Sequence, residues 1–225
     1  INPDVILNCV GITKRKIDKT NPLEVIQVNS IFPHQLAEWA KYHHKRVIHF
    51  STDCVFDGKI GNYKETSLTT AEDLYGRTKA LGEINYPHTL TLRSSFIGQE
   101  LFDKTELLDW FLSQDGKQIK GFTNTFYSGV STLYMARIVK EIIQYYPKLN
   151  GLYQLAPKSP ISKYDLLCIA NKVFQVNVDI IPDDTQRHYP TLDASKLGET
   201  INLKVPTWEN MMLELAGSKS IYENV

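Results

Sequence analysis

The chain has no surplus of either charge. Its 25 Lys and Arg are matched by 25 Asp and Glu, so no global field gathers phosphates or anionic lipid, and no nucleic-acid partner is expected. Cysteine is scarce: Cys9, Cys54 and Cys168 are the only three. They are odd in number and form no CxxC pair, which speaks against a disulfide framework and against a zinc site; no metal is expected. No run approaches the roughly 18 apolar residues that span a bilayer, and no basic segment leads into an apolar stretch at the start. The expected setting is the cytoplasm, away from membrane. Phosphate-binding signatures are missing as well. There is no Gly-x-Gly-x-x-Gly or Gly-x-x-Gly-x-x-Gly, Gly116-Lys117 lacks the preceding glycine of a phosphate loop, and there is no Gly-x-Ser-x-Gly elbow. His43-His44 has no partner at metal-ligand spacing and is expected at a helix end.

What is present is ordinary globular composition, 42% hydrophobic and 22% charged over 225 residues, enough for one large domain or two small ones. Short apolar runs alternate with segments of helical period, the pattern of strands that cross over through helices onto a parallel sheet. Strands are predicted at Val5–Val10, Arg46–Phe50, Leu90–Leu92, near Ile119, at Gly151–Leu155 and at Val178–Ile181. Asn21-Pro22 is a cap with Pro at the first helical position. It opens a helix whose face is Ile26, Asn29, Pro33, Leu36 and Ala40, with a kink near Pro33. Further helices are predicted at Leu74–Ile84, Glu106–Ser113, Ser131–Tyr146 and Thr207–Ala216, and Ser162 with Asp165 forms a capping box for a helix to Phe174. Residues 1–115 read as a nucleotide-type α/β core. Residues 116–225 read as segments that partly return to that core and partly form a smaller lobe.

Chemistry concentrates between residues 46 and 83. An apolar strand ends in Ser51-Thr52-Asp53, and Tyr75-Gly76-Arg77-Thr78-Lys79 opens the next helix. Positions i and i+4 share a helix face, so the Tyr75 phenol and the Lys79 ammonium can approach one ligand. A phenol of pKa about 10 becomes an acid–base group at neutral pH only with a cation near its phenolate, which Lys79 could supply. Thr52 could hold a substrate carbonyl oxygen while Tyr75 moves the proton. Tyr-x-x-x-Lys spacing by itself is weak, since 12 tyrosines yield about one match by chance. Its placement after a hydroxyl-rich strand end raises it above a surface Tyr with a solvated Lys one turn on.

The stretch Val47-Ile48-His49-Phe50-Ser51-Thr52-Asp53-Cys54-Val55-Phe56-Asp57-Gly58, with Tyr75-Gly76-Arg77-Thr78-Lys79 and Leu81-Gly82-Glu83, resembles the extended short-chain dehydrogenase/reductase superfamily. Within it the chain is most similar to the dTDP-4-dehydrorhamnose reductase (RmlD-like) family. Asp4 to Gly11 resembles that family's fourth strand, and Leu92-Arg93-Ser94-Ser95-Phe96 resembles the strand and turn after its catalytic helix. The resemblance implies a Rossmann-like, doubly wound parallel sheet lacking its N-terminal part, with a smaller C-terminal substrate lobe. It implies an NAD(P)H-dependent reductase of a nucleotide-linked 4-keto-6-deoxy sugar in surface polysaccharide synthesis.

By that resemblance Tyr75 is the general acid, Lys79 binds the nicotinamide ribose and Thr52 holds the keto oxygen. Cys9, Val10, Gly11, Asn29, Ser51 and Ser95 lie along the NADPH or NADH, with Tyr75 and Lys79, and Thr13, Phe96, Asn124, Tyr127 and Arg187 face the sugar nucleotide. Asn29 matches an Asn common in the superfamily. A core Asn bonded to backbone and a proton-relay group both fit it. The family's Gly-rich βαβ unit would precede Val5, so about 50 to 60 residues are expected upstream, and this chain alone is expected to bind cofactor poorly.

Cys54 and Phe96 depart from the Tyr and Trp usual in the family, and Lys14-Arg15-Lys16 forms a basic cluster. That cluster fits either a solvated loop or a contact with substrate diphosphate. A UDP-linked N-acetyl-6-deoxyhexose is therefore as good a candidate as the dTDP sugar. The alternatives are an epimerase or dehydratase of the same superfamily, and a non-catalytic regulatory subunit like the β-subunit of methionine adenosyltransferase. The resemblance also admits a homodimer.

Overall fold

A computed structural model describes residues 2–218. Strand β1 (Val5–Asn8) leads through a 3-10 turn at Lys14–Lys19 into α1 (Pro22–Ile26), a π-helical turn at Gln27–Ile31 and α2 (Phe32–Tyr42). The chain returns as β2 (Arg46–Ser51), makes a 3-10 turn at Asp53–Val55, and continues through α3 (Leu74–Leu81) to β3 (Thr89–Arg93) and β4 (Ser95–Ile97). Then come α4 (Leu107–Leu112), β5 (Gln118–Phe122), β6 (Phe126–Tyr127), β7 (Gly129–Ser131), α5 (Thr132–Tyr145) and β8 (Gly151–Gln154). The last elements are β9 (Ile161–Ser162), α6 (Lys163–Phe174), β10 (Asp179–Asp183), α7 (Ser195–Ile201) and α8 (Trp208–Gly217).

The main sheet is parallel throughout, in the order β1-β2-β3-β8. Every residue of β3 is buried, as expected of a strand with neighbours on both edges and helices on both faces. The capping signals act as read. Asn21 Oδ1 accepts the Leu23 N–H, and Ser162 Oγ accepts the Asp165 N–H. The second half of the chain supplies β8 to the sheet begun by the first half. One apolar cluster joins Ile48, Leu90 and Leu92 to Val130, Ile138, Leu166 and Met211. Pairs β5–β10, β4–β7 and β6–β9 form small sheets beside the main one.

Three expectations need correction. The first strand ends at Asn8 rather than Val10, where the backbone leaves the sheet for the cleft. The helical irregularity lies before Pro33, at the π turn Gln27–Ile31. Pro33 has no N–H for the Asn29 carbonyl, so the ladder widens there. The helix expected to reach Ile84 stops at Leu81. Gly82 is its C-cap, and the end of α3 packs directly on the π turn: a Cβ at Gly82 would lie 1.9 Å from the carbonyl oxygen of Asn29. Helix α7 and the 3-10 turn at Lys14–Lys19 carry little hydrophobic periodicity, so the sequence pattern does not mark them. No helix among the described residues is long and apolar enough to cross a membrane.

Candidate active site

A cleft of about 520 Å³ opens at the carboxyl ends of β1, β2 and β3. This is where loops leave a parallel sheet and where ligands bind in such folds. Asn8 to Arg15 form one wall, Phe50 to Thr52 and Cys54 the floor, Tyr75 and Lys79 a second wall, and Ser94 to Gly98 with Tyr127 the far side.

Helix α3 brings Tyr75 to Thr52. Asp73 caps the helix by accepting the Gly76 N–H at 2.7 Å, and Gly76 lets the first turn press on the Asp53–Val55 turn. A Cβ at Gly76 would come within 2.2 Å of the Cys54 carbonyl oxygen. Burial raises the Tyr75 phenol above its ordinary value, with Cys54 pushing the same way and the Thr52 hydroxyl opposing them. A phenol so placed keeps its proton at neutral pH, as an acid must before it donates. Lys79, only 6% exposed, donates to the Phe50 carbonyl at 2.8 Å. Burial lowers it to about 8, partly offset by Glu83.

Beneath the floor lies a buried charge pair. Arg93 donates to both oxygens of Glu83 at 2.6 and 2.7 Å, and Ser51 Oγ donates to the same carboxylate at 2.6 Å. Ser51 therefore meets the cleft with its backbone, its hydroxyl being committed. Behind β2, His49 Nδ1 meets Asn8 Nδ2 at 3.0 Å, and burial drives the imidazole down to about 3.

Of the other residues singled out in the sequence, Cys9, Val10, Gly11, Thr13, Ser95, Phe96 and Tyr127 all line the cleft. Asn29 does not. Its amide holds Ile12, with Oδ1 accepting the Ile12 N–H at 2.8 Å and Nδ2 donating to the Ile12 carbonyl at 3.0 Å. Asn124 is turned to the Asp184 carbonyl at 3.3 Å and Arg187 is exposed; neither is among the cleft-lining residues. The basic cluster is ion-paired across the cleft mouth, Lys14 to Asp73, Arg15 to Glu106 and Lys16 to Asp103, at 2.7 to 3.1 Å. Glu106 is a site feature that sequence spacing did not single out for a role. Its partner Arg15 lies 91 residues away, so no local signal marks it, whereas Asp53 is bonded to its neighbour Thr52 and only its burial is hidden from the sequence.

The donor set fits the ribose end of a nicotinamide nucleotide. An ammonium has three N–H donors, and Lys79 gives one of them to Phe50, which leaves donors for ribose hydroxyls. The backbone of Cys9 to Gly11 is exposed on the opposite wall. No group of His, Cys, Asp and Glu that could hold a metal ion is found among the described residues.

A parallel sheet with Thr, Tyr and Lys gathered in a cleft at its carboxyl ends defines a Rossmann-like α/β domain of the Tyr-x-x-x-Lys kind. Residues 1–218 match the model of the RmlD substrate binding domain, and the chain belongs to that family. It is 29% identical over 238 residues to dTDP-4-dehydrorhamnose reductase of Aggregatibacter actinomycetemcomitans, covering 93% of this chain and 79% of that protein. It is 26% identical over 219 residues to methionine adenosyltransferase 2 subunit beta of Xenopus laevis, covering 87% of this chain and 64% of that one. In fold it resembles the crystal structure of dTDP-4-dehydrorhamnose reductase from Bacillus anthracis in complex with NADP. The TM-score is 0.83 at 18% identity, over 96% of this chain and 80% of the other.

Proposed function

We propose that this protein is an NAD(P)H-dependent reductase of a nucleotide-linked 4-keto-6-deoxy sugar, of the dTDP-4-dehydrorhamnose reductase kind, acting in nucleotide-sugar synthesis. The observation that carries this reading is the presence of Thr52, Tyr75 and Lys79 on one cleft at the sheet's carboxyl ends. When bound, a reduced nicotinamide supplies the hydride. Tyr75 gives its proton to the keto oxygen as negative charge develops there, and Thr52 stabilises that oxygen by a hydrogen bond. Lys79 holds the ribose hydroxyls and keeps a positive charge beside the site. Cys9 to Gly11 and Ser95 follow the nucleotide. Thr13, Phe96 and Tyr127 contact the sugar, whereas Asn124, turned to the Asp184 carbonyl, and Arg187 stand outside the cleft and are given no substrate contact. The reaction belongs in the cytoplasm, where sugar nucleotides are made.

The test is to add dTDP- and UDP-linked 4-keto-6-deoxyhexoses to the full-length protein with NADPH or NADH. One equivalent of reduced cofactor should be oxidised per sugar, and Tyr75→Phe should lower turnover by about 10² to 10⁴ with an unchanged melting temperature. Binding of the nucleotides without turnover would assign the chain to a regulatory role instead. Cofactor cycling without net oxidation would assign it to epimerisation or dehydration.

A further inference from the structure

On the reductase reading above, the hydroxyl of Thr52 must have a proton to offer. A threonine hydroxyl has one proton and two lone pairs. Thr52 Oγ1 accepts the Cys54 N–H at 3.1 Å and donates to Asp53 Oδ1 at 3.1 Å, and Tyr75 lines the same cleft. With Asp53 ionised, the carboxylate holds the Thr52 proton, and Thr52 has none for a keto oxygen. With Asp53 neutral, its own O–H fills the second Thr52 lone pair. The Thr52 proton then turns to the cleft.

Asp53 sits where the neutral form is favoured, at 3% exposure in the turn after β2. The groups around it are Cys54 on its own turn, Tyr75 from α3, Ser95 from β4 and Tyr127 from β6. Lys163 of α6 and Lys14 of the turn after β1 add positive charge at longer range, and the His188 imidazole of the loop before α7, held down by burial, lies near as well. Burial outweighs these and raises the carboxyl above its ordinary range, and Lys14 is committed to Asp73 at 2.7 Å.

We propose that Asp53 is a positioning residue for the reduction: its neutral carboxyl donates to Thr52 Oγ1 and thereby frees the Thr52 proton for a hydrogen bond to the substrate's keto oxygen. Asp53 keeps its proton throughout. The proton that ends on the product alcohol is that of Tyr75, which is replaced from solvent.

The experiment is a pH profile of kcat and KM for the full-length protein, Asp53→Asn and Thr52→Val, joined to an infrared difference spectrum of the carboxyl region. Wild-type kcat should fall about tenfold per pH unit above the Asp53 transition, with KM moving less. Asp53→Asn, whose carboxamide N–H can fill the same lone pair, should keep kcat within about tenfold and lose that limb. Thr52→Val should also lose it, because no hydroxyl remains to be directed. A protonated-carboxyl band should be present in the wild type at the pH of greatest activity and absent in Asp53→Asn. The proposal is overturned if Asp53→Asn or Thr52→Val retains the limb, if Asp53→Asn is depressed equally at every pH, or if the wild type lacks the band. Should Asp53→Asn not fold, Thr52→Val and the wild-type band decide. Failure of the reductase reading has its own signature, which is no wild-type turnover on any ketosugar with the band still present.

Discussion

The carboxamide of Asn29 closes on both backbone groups of Ile12, accepting its N–H at 2.8 Å and donating to its carbonyl at 3.0 Å. Asn29 sits in the π turn, 1% exposed, and it thereby fixes the segment from Cys9 to Thr13 that forms one wall of the cleft. Asn29→Ala should leave two part-buried polar groups unmet, at a cost of about 2–3 kcal/mol. It should also raise the KM for nicotinamide nucleotide more than it lowers kcat, because the wall loosens while Tyr75 and Thr52 stay in place. Urea unfolding together with steady-state kinetics checks both, and a change in kcat alone would contradict the assignment.

How far this arrangement could be read from sequence depends on how local each cause is. The Asn21-Pro22 cap, the Ser162 and Asp165 box and the Tyr75–Lys79 face are each encoded within a few residues, and they stand where they were expected. Asn29 stands out in the sequence as a polar residue on an apolar stripe and by its match to the superfamily, but its partner Ile12, 17 residues away, does not. The pairing of β8 with β3 joins Leu90 to Gly151, and the Arg15–Glu106 bridge spans 91 residues. No periodicity reports such contacts. Thr52 could be singled out by its place at a strand end, whereas the direction of its hydrogen bond to Asp53 depends on burial that only the fold creates.

Glu83 accepts from Arg93 twice and from Ser51 once, with side-chain exposures of 11% for Glu83 and 3% for Arg93. Removing one partner of such a pair strands the other charge in a poorly solvated site. Glu83→Gln should therefore cost about 3 kcal/mol or more, a fall in Tm of roughly 6–12 °C for a domain of this size. Differential scanning calorimetry measures it. A fall of under about 2 °C would mean that Arg93 finds solvent, contrary to its burial.

Lys79 gives a second stability signature, with the opposite pH sense to that of a surface lysine. Its folded pKa, about 8, lies below the ordinary lysine value of 10.5, so between those values the unfolded chain binds more protons and stability rises with pH. The buried ammonium costs about 3 kcal/mol below pH 8, and that cost is relieved as the pH rises. From pH 8 to 10 the wild type should gain about 2 kcal/mol relative to Lys79→Met, as read from urea midpoints. A parallel pH dependence of the two proteins would show that Lys79 is solvated and not held against Phe50.

His49 governs the acid side. It is fully buried in β2, its Nδ1 meets Asn8 Nδ2 at 3.0 Å, and its Nε2 has no partner among the described residues. Burial comes first among the causes that take the imidazole from 6.5 to about 3, followed by the charges of Lys79 and His34. A histidine whose folded pKa is depressed contributes stability that is fully present above the unfolded value and is lost as the pH falls toward the folded one. The loss should begin near pH 6.5, proceed at up to about 1.4 kcal/mol per pH unit, and total on the order of 4–5 kcal/mol by pH 3. His49→Gln keeps an oxygen to accept from Asn8 and has nothing to protonate, so its stability should vary less with pH by that amount across the same window. Urea midpoints for both proteins at pH 7, 5 and 4 test this. Equal slopes would mean that acid unfolding is driven by the carboxylates, with His49 charging only after the sheet has opened.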